Sequence, residues 1–215
     1  MIREIKFQNQ GSIRCKNHLY TAVSFFGYNS YFNFQKGTNI IYGDIDSDVW
    51  GISYLLSMYN VKSPSKSDFD RPLIALVDGK EMHLKELSNH CCYIDSKYYP
   101  LFNSKRKTVR QLIKAGLKAS HSDYSIDDIC DFFKLSPDRV DRPVPCVGNE
   151  KFRAMPAIGY ACGKEIFCFP WLSEKMFEYY KNHILYSLEV LNTLGAISIL
   201  PLSSSCRDIM TKSEF

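Results

Sequence analysis

The chain has 215 residues, of which 45% are hydrophobic and 14% aromatic, enough for the core of one ordinary domain or one domain with a helical insert. Its net charge of +4 is scattered, and short basic patches such as Lys105-Arg106-Lys107 argue against a nucleic-acid partner. No run of about 18 apolar residues is present to span a bilayer, and the opening MIREIKFQNQ lacks the apolar stretch of a secretion signal, so a cytosolic chain is expected unless a partner holds it at a membrane.

In chain order, residues 1–36 read as β-rich. Ile5 and Phe7 alternate with Lys6 and Gln8, the period of a half-buried strand. Tyr20–Phe26 and Tyr31–Phe34 are further strands of a small antiparallel sheet. Thr38–Tyr42 is β-branched and aromatic, which predicts a strand buried on both faces. Gly43 breaks it, and Ile52, Leu55, Leu56 and Tyr59 recur at helical spacing over about 50–60. After the polar breaker Lys62–Ser67, the chain returns to strand at Pro72–Val77, and Asp78-Gly79 signals a hairpin. Cys91–Ile94 is a short apolar strand, and 95–107 is a polar, basic loop.

Helices are predicted from Thr108 to about Lys118 and after the N-cap Ser125, whose third following residue is the acid Asp128. Pro137, Pro143 and Pro145 end this section. Residues 150–161 have helical character, although Pro156 is unwelcome in a helix interior. Glu165–Phe169 is a buried strand. Ser173 caps a long helix carrying Met176, Phe177, Tyr180, Ile184, Leu188 and Leu191, which Gly195 ends. Ala196–Leu200 is the last strand, and the strand–helix–strand order implies a parallel core sheet.

The eight cysteines form no Cys-x-x-Cys pair, and Cys15/His18 and His90/Cys91 have no second ligand pair at zinc spacing. They read as free, mostly buried thiols, with no metal site. The five histidines are dispersed and none is assigned a catalytic role.

The organising stretch is Thr38–Tyr59, a strand, a tight loop and a helix, which is the frame of a phosphate-binding loop. Such a loop needs glycines so that backbone N–H groups can curl around phosphate, a lysine for charge, and a hydroxyl for magnesium. Here it carries Asp44, Asp46 and Asp48, followed by Val49, Trp50 and Gly51. Three carboxylates would face a polyanion. The expectation is a self-plugged loop, in which the aspartates satisfy the N–H groups at the start of the helix. The alternate acids also suggest a calcium loop, but Val49 stands at its glycine position and Leu55 at its final acid.

The order of these parts resembles the ATP-binding cassette family, the nucleotide-binding domains of ABC transporters, over nearly the whole chain. Counted from Gly43, Asp48, Val49 and Trp50 fall at the second glycine, lysine and hydroxyl of the family's Walker A loop. Ser96 falls at the Q-loop glutamine. Gly148–Arg153 is similar to the signature motif, with Val147 in place of its serine and Asn149 in place of its second glycine. Ile166–Phe169 resembles the Walker B strand, and Pro170 and Trp171 stand where the family has its magnesium-binding aspartate and catalytic glutamate. No histidine follows Ala196–Leu200 at the switch position.

The resemblance implies an α/β cassette with an antiparallel part at 1–37, a P-loop-like core at 38–93 and 150–215, and a helical insert at 94–149. The departures imply a pseudo-ATPase with no resident cofactor, ATP and magnesium being admitted only if the loop is intact in some other register. The implied role is a structural or regulatory subunit of a transporter, dimeric with itself or an active cassette. It would grip a membrane subunit through the insert, with Lys97, Tyr98, Tyr99 and Phe102 as docking residues. The alternatives are a half-site of a composite ATPase, through Val147, Gly148, Asn149 and Glu150, and a soluble scaffold.

Overall fold

The computed structural model describes residues 1–8, 13–16, 23–26, 31–45, 47–58, 74–95 and 107–208. Strands β1 (Glu4–Gln8), β2 (Ile13–Lys16), β3 (Val23–Phe26), β4 (Tyr31–Gln35) and β5 (Gly37–Tyr42) lead to helix α1 (Asp48–Met58). The hairpin β6 (Ile74–Val77) and β7 (Lys80–His83), the short helix α2 (Leu84–Leu87) and β8 (Cys91–Tyr93) follow. The helical section comprises α3 (Val109–Ser120), α4 (Ile126–Phe132), α5 (Pro137–Val140) and α6 (Lys151–Ala161). The chain then runs through β9 (Ile166–Cys168), α7 (Glu174–Thr193) and β10 (Ile197–Leu202).

Two four-stranded sheets form the frame. One is antiparallel, in the order β4-β1-β6-β7, and the other is parallel, in the order β5-β10-β9-β8. Their side chains alternate between two apolar cores, as a period of two requires. Ile166, Cys168, Ile197 and Ile199 face the core shared with α1 and the antiparallel sheet. Phe167, Phe169, Leu200 and Leu202 face the core shared with α6, α7 and the helical section.

Several local signals act as expected. Thr108 and Ser125 each form a reciprocal capping box, with Gln111 and Asp128, and Ser173 caps α7. Asp78 and Gly79 both have positive φ, which suits the two central positions of a hairpin turn. Pro137 does not end the helical section. It opens α5, where its missing N–H costs nothing.

Other expectations are corrected by long-range pairing. Among the described residues the N-terminal strands do not make one sheet: β2 pairs with β3 alone, whereas β1 pairs with β4 and with the 74–83 hairpin. The predicted strand 20–26 is seen at Val23–Phe26, its first three residues lying outside the described set. β5 is not buried on both faces. It is an edge of the parallel sheet and most of its residues are half-buried. The Asn39 amide turns back along this edge, donating to the carbonyls of Gln35, Gly37 and Ser198 and accepting from the Gln35 N–H.

Pro156 does lie inside α6, and the packing shows how it is accommodated. Its missing N–H leaves the Phe152 carbonyl without an intrahelical donor. The hydroxyl of Ser187, on α7, donates to that carbonyl at 2.7 Å in a buried setting.

Candidate functional site

In open α/β sheets ligands bind beyond the carboxyl ends of the strands. Here β5 and β10 end level, Tyr42 beside Leu202, and Gly43 N–H donates to the Leu202 carbonyl at 2.9 Å. β9 is followed by Phe169, Pro170 and Trp171, and Leu172 then bridges to Leu202. These turns bring the loop after β5 and the Pro170-Trp171 pair together.

The loop is tightly folded. Ser47 donates its N–H and its hydroxyl to the Asp44 carbonyl, at 2.9 and 2.6 Å, and Trp50 N–H donates to the Ser47 carbonyl at 3.1 Å. A Cβ on Gly43 would meet the Ser47 hydroxyl and lie 2.8 Å from the Val49 Cβ, so only glycine fits this approach. Trp50 is buried and Gly51 lies in the first turns of α1. The Trp171 indole N–H donates to the Gly43 carbonyl at 2.8 Å, joining residues 128 apart in the chain.

Asp44 does not cap α1 as expected. Its carboxylate accepts from the Ser203 hydroxyl at 3.2 Å and from the Ser204 N–H at 3.3 Å. The reason is the register, which sets the residues after β5 beside those after β10. Asp48 is half-buried in the first turn of α1. The Arg207 guanidinium lies over the Tyr42 ring, 5.1 Å from its centre, and burial raises the Tyr42 pKa. Asp46, Ser96, Lys97, Tyr98, Tyr99 and Phe102 lie outside the described residues.

The signature-like loop sits in the helical section, before α6. Val147 is buried, Gly148 is exposed with φ of +61°, and Asn149 is half-buried. Glu150 is only 2% exposed. It accepts from the Ser136 N–H and stands 3.6 Å from Arg139 and 3.8 Å from Arg153. This charge cluster was hidden in the sequence, where Glu150 is simply the acid of a motif.

Several groups that a phosphate-binding turn would aim at a ligand are engaged within the protein. The N–H groups of Gly43, Ser47 and Trp50 are already spent on protein carbonyls. What the turn presents to a ligand includes the Asp44 carboxylate, an acceptor facing a polyanion. Pro170 has no side-chain oxygen to offer a metal, and the Trp171 ring tip is engaged with the loop. Burial pushes the Cys92 thiol up to about 12 and raises Cys168 well above its usual value, which disfavours the thiolate at both. Among the described residues, no three His, Cys, Asp or Glu side chains cluster as a metal set.

No protein-family model matches the sequence, and no curated protein matches it. Solved structures do. A bacterial Atm1-family ABC exporter with ATP bound is 14% identical, with a TM-score of 0.56 over 96% of this chain. This chain spans only 36% of that exporter's length. A putative ABC transporter ATP-binding protein from Pyrococcus furiosus is 13% identical at a TM-score of 0.57, over 92% of this chain and 90% of that one. The dimeric bacterial ABC transporter cassette MJ0796 is 12% identical at 0.56, over 92% and 87%. With its parallel sheet, antiparallel sheet and surrounding helices, the chain has the fold of an ABC transporter ATP-binding cassette.

Proposed function

We propose that this chain is a catalytically degenerate cassette subunit of a membrane ABC transporter complex, structural or regulatory and non-hydrolysing. The observation that carries the reading is what stands at the carboxyl end of the parallel sheet: Pro170 and Trp171 after β9, and Val49 and Trp50 after the loop. Phosphoryl transfer needs a bridging divalent metal, a group that orients the attacking water, and cations that absorb developing charge. A prolyl ring, an indole and a valine supply none of these.

In this reading the chain lies at the cytoplasmic face of the membrane, held there by its partner. No helix among the described residues is long and apolar enough to cross a bilayer. The helical insert at 94–149, with Lys97, Tyr98, Tyr99 and Phe102, is the contact for the membrane subunit. A second cassette, a copy of the chain or an active one, completes a dimer.

The test is a pull-down of the tagged chain from detergent-solubilised host membranes, with ATP and magnesium titrated into the same purified protein by calorimetry. Capture of a membrane subunit with no heat of ATP binding is the expected result. ATP binding at micromolar affinity, or no membrane partner, overturns it. The composite half-site is favoured by one feature, the outward exposure of Gly148 at the signature-like loop. Under that reading, adding the chain to an active cassette raises the cassette's ATPase rate, and Gly148→Val abolishes the gain.

A further inference from the structure

We infer that the carboxyl end of the parallel sheet is a self-ligated clasp, closed by the protein's own side chains and indifferent to nucleotide. The inference rests on the reading of the chain as a non-hydrolysing cassette and says how its former nucleotide end is held.

The sheet order sets the geometry. β10 lies between β5 and β9, so β5 and β9 are not neighbours and no ladder bond joins them. At a strand spacing of about 4.8 Å their axes are about 10 Å apart. Trp171 closes this gap, reaching from the turn after β9 to the Gly43 carbonyl after β5. Asp44 ties the same loop to the middle strand through Ser203 and Ser204. Ser47 then folds the loop on itself at the Asp44 carbonyl. Three side chains thus fasten three strand ends at one point.

The donor–acceptor arithmetic weighs against a polyphosphate. A phosphate offers only acceptors and negative charge, so its cradle must present free donors. The Gly43, Ser47 and Trp50 N–H groups, the Ser47 and Ser203 hydroxyls and the Trp171 indole N–H all donate within the clasp. Trp171 is two residues before Ser173, the cap of α7, so the clasp also fixes where that helix starts. Loop and helix are joined through Trp171. They form one unit whose position is set by the fold.

The experiment is hydrogen exchange by mass spectrometry on the full chain, with and without ATP–magnesium and inorganic pyrophosphate. Trp171→Phe keeps a ring and removes the N–H, and should speed exchange over residues 43–51 about fivefold, as loss of one net hydrogen bond implies. Residues 151–161 serve as the unchanged reference. Asp44→Ala, at an exposed position, should speed exchange at 203–206 and keeps the test alive if Trp171→Phe does not fold. Neither ligand should alter the wild type. Unchanged exchange in the variants, or protection of 43–51 by either ligand, overturns the clasp. A chain whose exchange behaves as expected but that captures no membrane subunit overturns the transporter reading alone.

Discussion

Replacing Ser187 by alanine should cost about 2 kcal/mol of stability, and replacing Pro156 by alanine as well should return most of it. Pro156 leaves the Phe152 carbonyl without its intrahelical donor, and Ser187 supplies one at 2.7 Å. Ser187 is fully buried and Phe152 is 1% exposed, so water does not reach the bond. Alanine at 187 strands a buried carbonyl, a loss of about 1–3 kcal/mol. Alanine at 156 restores an N–H four residues after Phe152 and thereby supplies the missing donor from within α6. The two substitutions should therefore couple by at least about 1 kcal/mol in a double-mutant cycle. Urea denaturation of the four proteins, followed by circular dichroism, reads this directly. With a slope of about 2 kcal/mol/M, Ser187→Ala moves the midpoint by about 1 M. A single variant within about 0.5 kcal/mol of wild type would refute the reasoning, as would strict additivity of the pair.

Three further outcomes follow from the packing and the charges. Glu150→Ala should destabilise by about 3 kcal/mol, because it leaves Arg139 and Arg153 facing each other and the Ser136 N–H unmet, while Glu150→Gln should recover part of the loss by keeping an acceptor; a wild-type melting curve for Glu150→Ala sinks the idea. Gly159→Ala should lower the melting temperature, since its Cβ would lie 2.6 Å from the Cys92 sulfur and 3.0 Å from the Phe167 ring; overpacking of about 1–3 kcal/mol exceeds the gain in helix propensity of about 1 kcal/mol. His183 is held below its usual pKa, first by burial and then by the Arg153 and Arg139 charges against an opposing pull from Glu150. Its folded pKa is depressed, so the stability tied to its neutral form is complete above about pH 6.5 and declines as pH falls from there through the folded value. Melting from pH 8 to 5 should show that decline, and His183→Gln should flatten it; equal slopes for both proteins would contradict the assignment.

Local signals were the legible part of this fold. The serine caps, the 3.6 period of α7 and the Asp78-Gly79 turn each depend on residues a few positions apart, and each stands where the pattern puts it. Pairing partners were not legible. Nothing in Ile74–Val77 says that it will lie beside β1, and nothing in Thr38–Tyr42 distinguishes an edge strand from a central one. The site divided the same way. The expectation that Asp44, Val49 and Trp171 stand in place of phosphate-handling groups came from their order in the chain. That Trp171 reaches Gly43, or that Asp44 turns to Ser203 instead of α1, follows from strand order and register. The run of serines at 203–205 was the one sequence trace of that second contact.

The chain has two tryptophans, Trp50 and Trp171, and both lie at the clasp: one in the first turn of α1, the other bonded to Gly43. The protein therefore carries a built-in optical label at a single place. Tryptophan emission reports the end of the parallel sheet, while far-ultraviolet ellipticity is dominated by the longer helices α1, α3, α6 and α7 together. Following both signals through one denaturation separates the opening of the strand ends from the melting of the helices, with no label attached.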